Sequence, residues 1–184
     1  MKFVKFKTLT LTLFMMAAIP VNAIAAPSAK VKQGGVDVKV VESSSPYVEA
    51  QGIFNAPVDK VWNALTDFQN YPRYFKDVEQ AKIRAQGGDK ANVYVKFDLP
   101  VGDLWVINEY QMNKANRRLS WKMIDGNLKG SDGSGSWTLT PYQGKTLATY
   151  RLSVKGSGAS NWIQRKAIQS TAPDVFEYLN ARIR

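Results

Sequence analysis

The feature that most constrains the fold is a series of segments between residues 78 and 155 in which apolar and polar side chains alternate. Val93 and Val95, for example, share one parity, and Tyr94 lies on the other. Successive side chains of a strand point to opposite faces, so this pattern predicts strands that bury one face of a sheet. The strands predicted in this series are residues 78–85, 91–99, 104–113, 118–124, 134–141 and 146–155.

Short turns separate these strands, such as residues 86–89 and 142–145. Parallel pairing needs crossover connections of a dozen or more residues, so these turns predict an antiparallel sheet. Residues 47–54 predict one further strand before the series. Residues 36–40 also alternate and are a candidate for a short strand.

Two short helices are predicted between the strand at 47–54 and the main series. Val58, Val61, Trp62 and Leu65 form one apolar stripe at helical spacing, and Asp67 offers an N-cap for a second helical turn. Near the C-terminus, residues 161–183 have helical periodicity, and we expect Pro173 to kink or divide this helix. An antiparallel sheet with one apolar face needs a cover, which the last helix supplies. The predicted fold is therefore α+β: a curved sheet of six to seven strands around a long C-terminal helix.

The N-terminal residues predict an exported protein. Lys2, Lys5 and Lys7 precede an apolar run at 9–19, and small residues follow at 23–25. This order is typical of a secretory signal peptide over residues 1–25, with an N-terminal membrane anchor as the alternative. We expect a periplasmic or secreted protein with a flexible lead at 26–46 and one domain at 47–184.

The charge and the missing residue types exclude several functions. The formal net charge of +10 is scattered, without the basic cluster expected of a nucleic-acid-binding protein. We expect no nucleic acid partner, weak contact with anionic membrane surfaces, and a monomer. The chain has no His and no Cys, so Ser-His-Asp and Cys-His catalysis and ordinary zinc sites are excluded. We expect neither a metal nor a cofactor.

Large apolar side chains on the predicted inner face suggest a cavity between sheet and helix. Aromatic-rich cavities with a few polar groups are the usual form of small-ligand sites, and a dry, filled core is the alternative. The candidate ligand-binding residues are Val95, Phe97, Tyr110, Trp121, Trp137, Tyr150, Trp162 and Phe176.

Residues 56–75, A-P-V-D-K-V-W-N-A-L-T-D-F-Q-N-Y-P-R-Y-F, closely resemble the opening motif of the START-like polyketide cyclase/dehydrase (SRPBCC) superfamily. That superfamily includes coenzyme Q-binding START proteins and pollen-allergen-like proteins. Residues 135–152 and the terminal helix from Trp162 fit it as well. The resemblance implies a helix-grip fold whose cavity holds a lipid, quinone, polyketide or sterol-like molecule. The resemblance identifies no catalytic residue in this chain. Tyr71, Tyr74 and Phe75 then become candidates for the cavity mouth.

Three functions follow from these expectations. The first is a carrier or sensor of a hydrophobic small molecule. The second is a cyclase or dehydratase that uses cavity carboxylates and tyrosines, although Asp98 and Glu109 lie on the polar parity of their strands. A shift of one residue in the face assignment would turn Glu109 inward. The third is an interaction domain with a filled core.

Overall fold

The computed structural model describes residues 26–43, 46–98, 103–127, 132–155 and 160–183, with the side chains of 154–168 and 171 left undescribed. The strands are β1 (Asp37–Val41), β2 (Tyr47–Phe54), β3 (Val78–Gly87), β4 (Lys90–Phe97), β5 (Leu104–Asn113), β6 (Arg118–Gly126), β7 (Asp132–Tyr142) and β8 (Lys145–Lys155). The helices are α1 (Ala29–Lys32), α2 (Val58–Thr66), α3 (Tyr71–Tyr74) and α4 (Ser160–Arg182), and a 3-10 turn covers Phe68–Asn70.

All eight strands form one antiparallel sheet in the order β1-β2-β8-β7-β6-β5-β4-β3. The α+β, helix-grip architecture predicted from the sequence is confirmed, with one or two strands more than expected. The additional strand is β1, which pairs along its whole length with β2, from Asp37 opposite Gln51 to Val41 opposite Tyr47. The short alternating segment Asp37–Val41 therefore forms an edge strand, because it pairs with the edge of β2 that no other described strand occupies.

The core lies between the inner face of the sheet and the helices. Val61 and Leu65 of α2 are fully buried, as are Val93 of β4 and Leu119 of β6. The inner parity of β5 is that of Val106 and its even-numbered neighbours, as the alternation predicted. Each strand thus contributes every second side chain to one continuous apolar layer.

Helix α4 packs closely against β2. Phe176 stacks on Phe54 with ring centroids 5.2 Å apart, and it lies directly over Gly52. A Cβ at Gly52 would lie 2.6 Å from Phe176 Cδ1, so only glycine permits this approach. The helix runs through Pro173 without the division expected near Ser170. Burial of Ala172 and Phe176 on either side of the proline holds the helix against the sheet, and this packing offsets the lost backbone hydrogen bond.

Two hydrogen bonds fix the short helices that follow β2. The buried Thr146 hydroxyl of β8 donates to the carbonyl of Ala56 at 2.7 Å, which anchors the start of α2. The Tyr71 hydroxyl donates to the Leu65 carbonyl at 2.8 Å and ties α3 back to the end of α2. Side-chain anchors therefore set the angle between these helices.

The lead before β1 contains structure that the sequence pattern did not predict. Residues 29–32 form α1, and the Ser28 hydroxyl accepts a hydrogen bond from the Val31 N–H at 3.4 Å. Val31 is fully buried, so this segment contributes to the core. None of the helices in the described ranges has the length and apolar character needed to cross a bilayer.

Candidate functional site

A cavity of about 310 Å³ lies between the inner face of the sheet, the segment after α3, and α4. We refer to it as the main cavity. Strands β4 to β8 form its floor, and α4 covers one side. Its lining residues are Tyr71, Phe75, Lys76, Asp77, Val78, Val95, Phe97, Asn108, Tyr110, Trp121, Trp137, Tyr150, Leu152, Asp174, Val175 and Tyr178.

Three stacked rings, Trp121, Trp137 and Tyr150, form what we call the aromatic wall. The centroids of Trp137 and Tyr150 are 4.4 Å apart with 30° between their planes. Those of Trp121 and Tyr150 are 6.0 Å apart at 23°. A cross-strand ladder of flat rings presents a broad apolar surface to the cavity.

A group of neutral polar side chains, Tyr71, Asn108 and Tyr110, interrupts the apolar lining and is called here the polar cluster. Desolvation raises the pKa of Tyr110 to about 12, against the opposing effect of hydrogen bonds with Asn108 and Tyr71. Desolvation also raises the pKa of Tyr71 well above its ordinary value, with a smaller contribution from Tyr110. The pKa of Tyr150 is likewise raised by desolvation. These phenols therefore remain protonated at neutral pH, when they donate hydrogen bonds and carry no charge.

The charged residues in the described lining of the main cavity lie where it meets solvent. Lys76 and Asp77 follow α3 and are exposed, and Asp174 of α4 is exposed as well. We call these three residues the rim. Among the described lining residues, the interior is thus uncharged and the charges are hydrated.

The structure brings eight of the predicted ligand-binding residues together. Tyr71, Phe75, Val95, Phe97, Tyr110, Trp121, Trp137 and Tyr150 all line the main cavity. The side chain of Trp162 lies outside the described residues. That the predicted residues contact a ligand stays a prediction.

Two predicted residues do not line this cavity. Tyr74 was expected at the mouth, but α3 turns its ring away to pack beside the core, where Arg73 lies 5.7 Å from the ring centroid. Phe176 was expected in the cavity, but its stacking on Phe54 over Gly52 fills the adjacent space between helix and sheet. Helical periodicity identifies the buried side of α4 but does not resolve which neighbouring positions face the cavity.

Several lining residues were not predicted from the sequence. Asn108 was detectable, because it is a polar residue on the same parity as the buried Val106 and Tyr110. Val175 and Tyr178 are three positions apart on α4, a spacing that places them on one side of the helix. The rim residues lie in a turn and on an exposed helix face, and no pattern distinguishes them from other surface charges.

The carboxylates that could serve acid-base chemistry lie mostly outside the main cavity. Glu109 faces the outer side of β5, as its parity predicted, and pairs with Lys122 at 3.0 Å. Asp98 is exposed. Glu49 also lies on the outer face, with Lys39 at 2.8 Å and Arg151 at 2.7 Å. Within the described part of the chain, no three or more metal-ligating side chains converge.

A second cavity, of about 430 Å³, lies on the other side of α4. Its lining includes Gly34, Val36, Pro173, Phe176 and Glu177. Among the described residues, its lining has one aromatic residue and the lining of the main cavity has eight. The main cavity is therefore the better candidate for an apolar ligand.

Comparisons with known proteins agree with this geometry. A family model described as polyketide cyclase / dehydrase and lipid transport matches residues 46–184. Comparison with curated protein sequences gave no match.

Among solved structures, a START superfamily protein from Mycobacterium smegmatis is 15% identical with a TM-score of 0.67, covering 74% of this chain and 96% of its own. Zhui aromatase/cyclase from a Streptomyces species is 19% identical, with a TM-score of 0.59 and coverage of 74% and 90%. A STAR-related lipid transfer protein from Xanthomonas axonopodis is 16% identical, with a TM-score of 0.60 and coverage of 86% and 94%. At these identities the similarity shows the fold alone.

Proposed function

The chain belongs to the polyketide cyclase / dehydrase and lipid transport family, and on that premise we propose that it is a carrier or sensor of a hydrophobic small molecule held in the main cavity. The lining of that cavity carries the proposal. The aromatic wall and the aliphatic side chains supply apolar contact, the polar cluster supplies a few neutral hydrogen-bonding groups, and the charges lie at the exposed rim. This is the usual composition of small-molecule sites.

The ligand class is a lipid, quinone or polyketide-like molecule of modest size. The cavity volume of about 310 Å³ lies near the lower end of the range of about 300–1,000 Å³ that is usual for ligand sites. The names of the aromatase/cyclase and the lipid transfer protein with the same fold point to ligands of this kind. An empty space of this size also counts against an interaction domain with a filled core.

Native mass spectrometry of the full chain, purified from an expressing bacterium without detergent, tests this proposal. We expect an apolar molecule to be released by organic extraction, with a matching mass difference between native and denatured protein. A homogeneous unliganded mass, together with no binding of apolar reporter dyes, would contradict it.

We also propose that the protein is exported to the periplasm or secreted, on the basis of the signal-peptide pattern in residues 1–25. Intact-mass measurement of protein from the periplasmic fraction should show loss of these residues. Recovery of the uncleaved chain from the membrane fraction would favour the alternative of an N-terminal anchor. A monomeric state and weak contact with anionic membranes remain proposals, the latter supported by the basic net charge.

A cyclase or dehydratase activity is the second candidate, and the Tyr71–Tyr110 pair favours it. The Tyr71 hydroxyl already donates to the Leu65 carbonyl, so Tyr110 is the phenol of this pair that is able to donate a hydrogen bond to a substrate carbonyl in the cavity. Their raised pKa values keep both phenols protonated at neutral pH and make them weak acids, so they neither accept nor readily release a proton. The carboxylates among the described lining residues, Asp77 and Asp174, are exposed. Incubation of the protein with aromatic polyketide-type ketones should therefore return them unchanged, whereas turnover that is lost in Tyr110→Phe would establish the enzyme.

A further inference from the structure

Asn108 is the buried amide of the polar cluster on the cavity floor. It lies near the middle of β5, opposite Val93 of β4 and Met123 of β6, and its residue is 8% exposed. Burying an amide without hydrogen bonds destabilises a protein, so such groups are normally paired. The amide of Asn108 therefore needs hydrogen-bonding partners inside the cavity.

The hydrogen bonds of the polar cluster use only part of this amide. The Tyr71 hydroxyl donates to the Leu65 carbonyl at 2.8 Å. The hydrogen bond with Asn108 lowers the pKa of Tyr110, so an Asn108 N–H donates to the Tyr110 oxygen. An amide has two donors and a carbonyl acceptor. One N–H and the carbonyl oxygen of Asn108 then remain for the occupant of the cavity that it lines.

The surroundings of Asn108 favour an uncharged partner. The described lining residues near it are aromatic or aliphatic, and the cation of the lining, Lys76, is exposed at the rim. A carboxylate or phosphate placed beside Asn108 would lose its hydration without gaining a counter-charge from the described lining residues, which is strongly unfavourable. A hydroxyl or ketone oxygen loses much less and pairs with the free donor and acceptor.

We propose that Asn108, held by Tyr110, is the specificity-determining residue of the main cavity. It recognises a neutral phenol or ketone oxygen on a flat ring packed against the aromatic wall, and it excludes ligands that carry an anionic group at that position. This inference rests on the proposed function and adds the chemical class of the ligand.

A competition experiment with three naphthalene probes tests it. The neutral dye N-phenyl-1-naphthylamine reports occupancy of the cavity, and naphthalene, 2-naphthol and 2-naphthoate compete with it at pH 7. For the wild-type protein we expect 2-naphthol to displace the dye at about tenfold lower concentration than naphthalene, since one hydrogen bond to a desolvated partner contributes about that factor. We expect 2-naphthoate to be the weakest competitor. Equal displacement by 2-naphthoate and 2-naphthol would overturn the inference without any variant.

The variants Asn108→Leu and Asn92→Leu form a matched pair, because Asn92 lies on the outer parity of β4. Asn108→Leu should lose the tenfold preference for 2-naphthol and bind naphthalene as before, while Asn92→Leu should behave as wild type. If Asn108→Leu retains the preference, Asn108 does not recognise the ligand, and the carrier proposal still stands. If neither dye nor probe binds the wild-type protein, the carrier proposal fails and this inference fails with it.

Discussion

Trp121 of β6 lies across Gly135 of β7, the residue opposite it in the sheet. A Cβ built on Gly135 would overlap the indole, lying 2.8 Å from Trp121 Cε2, and would be 2.7 Å from the carbonyl oxygen of Arg151. The absence of a side chain on β7 therefore lets the indole lie flat and extend the aromatic wall. The ring position depends on a glycine of the neighbouring strand.

Gly135→Ala should destabilise the fold and move Trp121. Because the new methyl overlaps both a ring and a backbone carbonyl, we expect a loss of about 1–3 kcal/mol in the free energy of unfolding. Urea denaturation measures this loss, and near-UV circular dichroism reports the ring. Gly133→Ala on the same strand is the control, because its nearest contact would be an ordinary 3.8 Å to Met123. Equal effects of the two substitutions would show that Gly135 has no special relation to Trp121.

Tyr150→Leu should weaken ligand binding more than it weakens the fold. The Tyr150 ring stacks between Trp121 and Trp137, so its loss removes the middle of the aromatic wall, while leucine still covers part of the apolar area. We expect at least about tenfold weaker binding of N-phenyl-1-naphthylamine, at a cost of about 1–2 kcal/mol in the free energy of unfolding.

Tyr94→Leu is the matched control for this experiment. Tyr94 also stacks on a tryptophan, Trp105, but on the outer face of the sheet. Its removal should leave dye binding unchanged. A Tyr150→Leu variant that loses stability and keeps its affinity would make Tyr150 a core residue.

The sequence was sufficient to predict the sheet, because alternation with a period of two assigns each residue of a strand to one face of the sheet without knowledge of the neighbouring strands. The same parity placed Val95, Tyr110 and Trp137 inward and Glu109 outward, as observed. The large inward-facing side chains suggested a cavity between sheet and helix, and the family resemblance implied one as well. Strand pairing and helix cover therefore follow from local patterns.

The shape of the cavity did not follow from those patterns. Whether a buried ring lines a space or fills it depends on the residue that it packs over, as Phe176 of α4 lies over Gly52 and Trp121 of β6 lies across Gly135. Such pairs are more than ten residues apart in sequence and carry no periodic signal. The rim likewise depends on how the turn after α3 meets α4. Among the lining residues that were not predicted, Asn108 carried a local signal, because it is a polar residue on an apolar parity.

Glu49→Gln should reduce the dependence of stability on acid pH. Burial alone would raise the pKa of Glu49, whose side chain is 12% exposed, but hydrogen bonds and charge from Lys39 and Arg151 lower it below the ordinary 4.5. A lowered carboxyl pKa stabilises the fold above the unfolded value, and this contribution is lost as pH falls through the folded value. We expect about 1 kcal/mol, since both cations are largely exposed. Urea denaturation between pH 7 and pH 3 measures it. An unchanged pH dependence in the variant would show that another carboxylate is responsible.

Tyr110→Phe should reduce the loss of stability at alkaline pH. The folded pKa of Tyr110 is raised from 10 to about 12, so the fold favours the neutral phenol. This contribution is fully present below pH 10 and is lost as pH rises through the folded pKa. A pKa difference of this size between the folded and unfolded chain corresponds to roughly 3 kcal/mol. Unfolding free energies from pH 8 to pH 12, with absorbance at 295 nm following phenolate formation, should therefore fall less steeply for the variant.

The cross-control for this experiment is Glu49→Gln. It should change the loss of stability at acid pH and leave the loss of stability at alkaline pH as in wild type. If Tyr110→Phe and wild type lose the same unfolding free energy between pH 8 and pH 12, the pKa of Tyr110 is not raised by the fold, and the polar cluster is open to water.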